Sequence, residues 1–177
     1  MIFQLATRKY LEQMCDITDQ AKTQLKAMGV DQWQNGYPSK ETWEHDIEVG
    51  CTYLAIDEMT DKVMGIFAYF TANEPAYNTI DGSWLTGDKV DDGSYVSLHR
   101  VCVSNAYKGI GVVGKMFDYV AERALSEKLH SIRIDTHQDN KPMLRALEKA
   151  GFSRCGTIRL IGGLEDGQLR VAFEKIV

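Results

Sequence analysis

A chain of 177 residues, 44% hydrophobic and 25% charged, has the balance of one ordinary globular domain, and it is long enough to bury most of its apolar surface. The formal net charge of −5 comes with no basic run, which argues against nucleic acid as a partner. No apolar stretch reaches transmembrane length and the opening MIFQLATRKY does not read as a signal peptide, so a cytoplasmic location away from membranes is expected.

In chain order, Ile2 to Leu5 is short and apolar, a plausible first strand. Leu11, Met14, Cys15, Ile17, Thr18, Ala21, Leu25 and Met28 recur at three- and four-residue steps, which predicts an amphipathic helix ending at Gly29. The run DQWQNGYPS, residues 31–39, is turn-rich. Ser39 then caps a second helix with Thr42 at its third position. Cys51 to Asp57 and Val63 to Thr71 alternate as two strands of a hairpin. Residues 73–93 carry Asp81, Asp88, Asp91, Asp92, Tyr77 and Trp84 and read as one long connection; structureless connections beyond about 12–15 residues are usually functional or mobile. Tyr95 to Val103 returns to strand, 111–128 reads as helix, and Ser131 to Thr136 as strand. Asp139 or Asn140 caps a last helix, with Pro142 in its first turn and Gly151 at its end. Phe152 to Leu160 and Leu169 to Ile176 form a final hairpin.

The four cysteines (Cys15, Cys51, Cys102, Cys155) are scattered without C-x-x-C spacing, so reduced thiols are expected. No repeat, low-complexity tract or linker divides the chain, and residues 1–177 read as a single domain.

The chain turns on Tyr107-Lys108-Gly109-Ile110-Gly111-Val112-Val113-Gly114-Lys115-Met116, between the strand 95–103 and a helix with apolar residues at 112, 113, 116, 117, 120, 121, 124 and 125. A strand, a glycine-rich turn and a helix N-terminus make an anion site, because the first N–H groups have no intrahelical partner and the helix dipole adds partial positive charge. Three readings compete. Gly109 to Lys115 fits the G-x-x-x-x-G-K of a P-loop, but Met116 stands where Ser or Thr would hold Mg²⁺. Gly109, Gly111 and Gly114 match G-x-G-x-x-G, yet a dinucleotide fingerprint usually follows the first strand of a βαβ unit, and this one lies past mid-chain.

The third reading is a resemblance. Lys108-Gly109-Ile110-Gly111-Val112-Val113 resembles motif A, [QR]-x-x-G-x-[GA], of the GNAT superfamily of acyl-CoA-dependent N-acetyltransferases. Lys replaces Gln/Arg and Val replaces the last Gly/Ala. The run from Ile132 through His137, Asn140 and Met143 to Lys149-Ala150-Gly151-Phe152 is similar to a second segment of that family. The likeness covers roughly residues 95 to 177 well; the first half matches in its order of elements. It implies an α+β fold with a mixed sheet, β-α-α-β-β-β-α-β-α-β-β with splayed central strands. It implies acetyl-CoA as cosubstrate and no metal.

The resemblance also implies site residues. Lys108, Gly109, Gly111, Val113 and Gly114 would hold the diphosphate. Val101, Cys102 and Val103 would line the pantetheine arm, with the backbone N–H of Cys102 or Val103 on the thioester oxygen, where that strand splays from its neighbour. Asn140 would touch the pantetheine or phosphate arm, or simply cap its helix. Lys115 would lie over the phosphates or face water. An acceptor amine of pKa about 10.4 arrives protonated at neutral pH, so a base is useful. His99 is the candidate, on the alternating face Ser97, His99, Val101, Val103, with Arg100 opposite, placed to pair with an acid. The family often places a Tyr seven residues after its Asn as acid for the thiolate; here that position is Leu147, and Tyr95, Tyr107 and Tyr119 are the spare hydroxyls. Asp135, His137 and Asp139 alternate as metal ligands could, but fit better as polar residues at a strand end.

The loops that wall the acceptor site in that fold hold Trp33, Tyr37, Pro38, Tyr77 and Trp84 here, with acids nearby. Aromatics with acids suit a cationic amine, so a small-molecule amine or amino-acid-like acceptor is expected. Acetylation of protein N-termini or lysines, and a non-catalytic acyl-CoA-binding sensor, are the alternatives. A homodimer is left open.

Overall fold

Two apolar runs with a tight turn between them, Thr52–Asp57 (β2) and Lys62–Phe70 (β3), pair antiparallel from Thr52↔Ala68 to Asp57↔Lys62, with a bulge at Ala55/Ile56. The computed structural model describes residues 1–87 and 94–177, which form eight strands and four α-helices, a mixed α+β fold. They fall into two compact units, Met1–Tyr69 with His99–Met116, and Phe70–Leu98 with Phe117–Val177. None of the described helices is long and apolar enough to cross a membrane.

In the first unit, β1 (Ile2–Leu5) pairs antiparallel with β2, β3 lies beyond it, and the second half of β5 (Tyr95–Val103) follows. Helices α1 (Leu11–Ala27) and α2 (Lys40–Val49) supply Leu11, Met14, Ile17 and Trp43 to a core shared with Leu54, Ile56, Ile66 and Cys102. The start of α2 is a reciprocal cap: the Thr42 N–H donates to Ser39 Oγ and the Ser39 N–H donates to Thr42 Oγ1. The buried Trp43 indole donates to Thr18 Oγ1 at 3.0 Å, and Thr18 donates to the Met14 carbonyl, so the buried indole and hydroxyl are both satisfied.

In the second unit the strand order is β5, β6 (Ser131–Thr136), β8 (Leu169–Ile176), β7 (Ser153–Arg159) and β4 (Ile80–Gly82). Strands β5 and β6 run parallel, over four residue pairs ending at Leu98↔Ile134. Helix α3 (Val112–Ser126) begins in the first unit and continues in this one, and α4 (Lys141–Lys149) ends before Gly151, whose φ is +81°. Of the apolar stripe expected on α3, residues Val112, Met116, Phe117, Val120 and Ala124 are buried, whereas Leu125 at its end is exposed.

The connection 73–93 is not structureless where it is described. Pro75–Asn78 is a 3₁₀ turn capped by Glu74, and Ile80–Gly82 adds a strand that the sequence pattern does not show, antiparallel to β7. Two glycines permit the pairing: a Cβ on Gly156 would lie 2.2 Å from the Asp81 carbonyl oxygen, and one on Gly82 would lie 2.2 Å from that of Cys155. Both contacts are with backbone, which cannot step aside as a side chain can. Gly156→Ala is therefore expected to lower unfolding stability by about 1–3 kcal/mol through overpacking, read as a shifted urea midpoint; an unchanged midpoint refutes the close approach.

Candidate functional site

The glycine turn is built from its ends inward. After β5 the chain makes a 3₁₀ turn at Asn105–Tyr107, passes through extended Lys108, and takes left-handed conformations at Gly109 (φ +82°) and Gly111 (φ +84°) before α3 begins at Val112. A Cβ on either glycine would meet nothing within 4 Å among the described residues, so backbone conformation, not space, requires glycine there. Gly114 is ordinary helix, also with open space where a Cβ would be. Gly109, Gly111, Gly114 and Lys115 are all exposed. The first intrahelical bond is Lys115 N–H to the Gly111 carbonyl, so helix geometry leaves the N–H groups of residues 112–114 without an intrahelical partner, the arrangement that suits an anion at a helix head.

What fixes the turn lies in the first unit. Val112 and Met116 are buried, and Gly65 on β3 makes room for them: a Cβ there would lie 2.7 Å from Met116 Sδ and 3.2 Å from Val112 Cγ1. The Tyr107 hydroxyl donates to Asp57 Oδ2 at 3.3 Å. On α1, Gln20 accepts from the Asn105 N–H at 2.8 Å and Gln24 accepts from Lys108 Nζ. Gln20 and Gln24 are four residues apart and so share one helix face, forming with Asp16, Asp19, Thr23, Ala27, Asn105 and Lys108 a shallow groove. Sequence reasoning misses both glutamines, since polar residues on an exposed helix face carry no periodic signal. Lys108, at the Gln/Arg position of motif A, is turned toward α1, and partial burial pushes its pKa down.

The strand feeding the turn is irregular where the candidate base sits. His99 is half-buried, and Arg100 has φ +54°. A left-handed non-glycine residue costs about 1–2 kcal/mol, and strict alternation cannot be carried across it. Arg100 pairs with an acid, as expected: Nε and Nη2 donate to Asp46 Oδ2 at 2.9 and 2.7 Å, and Nη1 donates to the Tyr37 hydroxyl at 2.5 Å. Thr52 Oγ1 donates to the same carboxylate oxygen at 3.1 Å. The arginine and aspartate side chains are 9% and 4% exposed, and losing one partner of so buried a pair typically costs about 3–5 kcal/mol. Burial alone would lower the arginine's pKa, but Tyr37 and Asp46 outweigh it and the pKa is raised.

Beyond Arg100 the strand is extended again. The Ser104 N–H donates to the Met64 carbonyl on β3 at 3.0 Å, so by alternation the Cys102 N–H points toward β3 and those of Val101 and Val103 point away. Of the two backbone donors expected at the thioester oxygen, Val103 has the outward direction and Cys102 does not. Cys102 is 6% exposed in the core, where burial pushes its thiol up to about 12; Cys51, also buried, is pushed up to about 11.

Of the four aromatics expected to wall the acceptor site, three are buried and Tyr37 is half-buried. Trp33 is 7% exposed in the first unit's core, and the half-buried Tyr37 is taken by Arg100. In the second unit, Tyr77 and Trp84 are 1% and 3% exposed, packed on each other with ring centroids 5.1 Å apart. Arg133 lies 4.2 Å over the rings of both Trp84 and Tyr95 while pairing with Glu174 at 3.0 Å. The Tyr77 hydroxyl donates to Asp135 at 2.8 Å. Tyr77 and Trp84 therefore have no open ring face for a ligand: loop position is legible in the sequence, ring direction is not. Asp81 is exposed on β4, while Asp88, Asp91 and Asp92 lie outside the described residues.

Also in the second unit, Asn140 caps α4: its Oδ1 accepts from the Met143 N–H at 3.4 Å, and its amide donates to Thr136 Oγ1 at 3.2 Å. Leu147 is fully buried. Tyr95 Oη accepts from the Glu74 N–H, and Tyr119 is half-buried on α3. His137 Nδ1 accepts from the Asp139 N–H at 3.1 Å, a local turn, and among the described residues no group of His, Cys, Asp or Glu is placed to hold a metal ion.

Comparison with known proteins agrees with this frame. Streptothricin acetyltransferase of Escherichia coli is 32% identical over 60 residues, a match covering 34% of each chain, so the chain spans about a third of that relative's length. The crystal structure of a GNAT-family acetyltransferase from Streptococcus agalactiae 2603 superposes with a TM-score of 0.85 at 28% identity, covering 99% of this chain and 95% of that one. Ribosomal-protein-alanine N-acetyltransferase from Brucella melitensis shares the fold, with a TM-score of 0.64 at 17% identity and full coverage of both chains. The profile of the acetyltransferase (GNAT) family matches residues 12–152, from α1 through the glycine turn to the end of α4, and the chain belongs to that family.

Proposed function

We propose that residues 1–177 act as a single N-acetyltransferase domain that moves the acetyl group of acetyl-CoA directly to a primary amine of a small molecule or amino-acid-like acceptor. The observation that carries this is the exposed turn at Lys108–Gly114, where two left-handed glycines bare the head of α3. It suits a diphosphate, because backbone N–H groups and the helix dipole attract negative charge without a side chain in the way. Lys108, Gly109, Gly111, Val113 and Gly114 are assigned to that grip, Val101 to Val103 to the pantetheine arm, and Asn140 to a polar contact with the same arm. Bound acetyl-CoA would supply the activated thioester.

His99 is assigned as the base that takes the proton from the acceptor ammonium, directly or through water. Most of an amine of pKa about 10.4 is protonated at neutral pH, and a positioned base is worth about 10²–10⁴ in rate. Direct transfer is favoured over an acyl-cysteine because the thiolate is the nucleophile, and burial keeps Cys51 and Cys102 as thiols. A small amine acceptor is in keeping with the relative named for streptothricin.

A second reading is an acyl-CoA-binding module without turnover, favoured by the buried Leu147 at the position where the family often has Tyr. A thiol of pKa about 8.5 leaves far more readily than an amine, so an acid there is dispensable to transfer. Release of CoA from acetyl-CoA across a panel of amines separates the two. Turnover is expected on small amines; cofactor binding with no CoA release on any amine decides for the module, and turnover confined to peptide N-termini rules out the small acceptor.

With an active amine in hand, His99→Gln is expected to lower kcat by about 10²-fold, and the loss should shrink as pH rises. The sign follows from the acceptor: below its pKa the neutral fraction grows tenfold per pH unit, so a variant lacking the base gains most from alkali. A pH–rate profile parallel to wild type removes His99 from that role. Incubation with acetyl-CoA alone should leave the protein's mass unchanged after acid quench; a stoichiometric gain of one acetyl group that then chases onto amine refutes direct transfer.

A further inference from the structure

Of the non-glycine residues with positive φ among the described residues (Trp33, Asp61, Arg100 and Lys128), only Arg100 lies inside a strand. It stands two residues past the last β5–β6 pair, Leu98↔Ile134, and directly before Val101. A peptide unit is planar, so the dihedrals of the residues flanking it fix its direction. The Arg100–Val101 peptide carries the Val101 N–H, and alternation back from Ser104 turns that N–H away from β3. Arg100 is therefore one of the two residues whose dihedrals set the first outward donor of this stretch, and the one that departs from strand geometry.

Glycine would adopt this conformation freely but would not hold it. Arginine is disfavoured there, yet its guanidinium is held on three sides: by Asp46 from α2, by the Tyr37 hydroxyl, and by the Trp43 ring 5.9 Å away. The carboxylate is itself fixed by Thr52 of β2. A pair that served stability alone could sit on any ordinary strand residue. Here it sits on the backbone outlier, and a strained residue that its surroundings over-determine points to function.

We propose that Arg100 is a positioning residue for acyl transfer: its buried ion pair with Asp46, tied to Tyr37, holds the Arg100–Val101 peptide so that the Val101 N–H donates to the thioester oxygen as negative charge develops on it. The inference rests on the acetyl-transfer reading above and adds to it a donor, Val101, and the side chains that hold that donor in place. No bond is made or broken by Arg100 itself. The side chain acts at a distance, through the backbone.

Glycine makes the test. Arg100→Met and Arg100→Gly both remove the ion pair, but only glycine accepts the left-handed conformation without strain. With kinetics normalised to folded protein, Arg100→Met is expected to lose about 10²-fold in kcat, with the KM for acetyl-CoA within about threefold of wild type. Arg100→Gly is expected to recover at least about tenfold of that loss although it lacks the same contacts. Asp46→Asn, nearly isosteric, is expected to lose about tenfold in kcat and decides the question if the Arg100 variants do not fold. The inference is overturned by Arg100→Gly no faster than Arg100→Met, by a loss appearing in KM alone, or by wild-type kcat in Asp46→Asn. A wild-type chain that acetylates no amine overturns this inference together with the reading it rests on; an active wild type with any of the other three results overturns the positioning role alone.

Discussion

One carboxylate oxygen organises the first unit. Asp46 Oδ2 takes donors from Arg100 on β5 and Thr52 on β2, while its own residue sits on α2. Three elements thus meet at a point nearly closed to solvent. Burying two charges costs several kcal/mol each, and the return depends on how completely their hydrogen bonds are made. Here the guanidinium also meets a hydroxyl and an aromatic face, so the pair is well enough satisfied to keep β5 in a conformation that its sequence alone would not choose.

The second unit has a matching device for a different task. Arg133 and Glu174 are fully buried partners on neighbouring strands β6 and β8. Glu174 also accepts from Ser131, from the Thr86 hydroxyl and from the N–H groups of Leu85 and Thr86. These bonds hold its pKa down although burial alone would raise it. The cluster straps the chain around Trp84 onto the sheet. In one unit a buried ion pair holds an irregular strand; in the other it anchors a connection between strands. Periodicity places Arg100 to pair with an acid but shows the partner in neither arrangement, because a buried charge interrupts the apolar pattern that such a reading follows.

What is legible in the sequence follows from local rules. The Ser39–Thr42 cap, the β2–β3 hairpin, the end of α1 at Gly29 and the Asn140 cap with Pro142 behind it each depend on residues close in sequence, and the structure has all of them. The glycine turn is legible for the same reason, since a left-handed step before a helix has few alternatives to glycine. The β4 strand is hidden because its partner lies more than 70 residues away on β7, and only that edge makes three residues a strand. Trp33, Tyr77 and Trp84 look like wall residues because they sit in connections, but a connection fixes where a residue's backbone runs and not where its ring settles. Large rings in a loop bury themselves when the core has space for them.

The braces of the glycine turn have a consequence of their own. Its ties to α1 end on amides, Gln20 and Gln24, which stay uncharged at any physiological acidity. The peptide groups of the turn do not titrate either, but Lys108 and the Asp57 carboxylate that braces Tyr107 do. The amides hold their side of the turn at any acidity, whereas the Lys108 ammonium that Gln24 accepts from loses its charge in alkali, sooner than an ordinary lysine because partial burial pushes its pKa down. Under the acetyl-transfer reading proposed above, a change in acidity would reach the diphosphate grip through the Lys108 ammonium and not through its peptide groups.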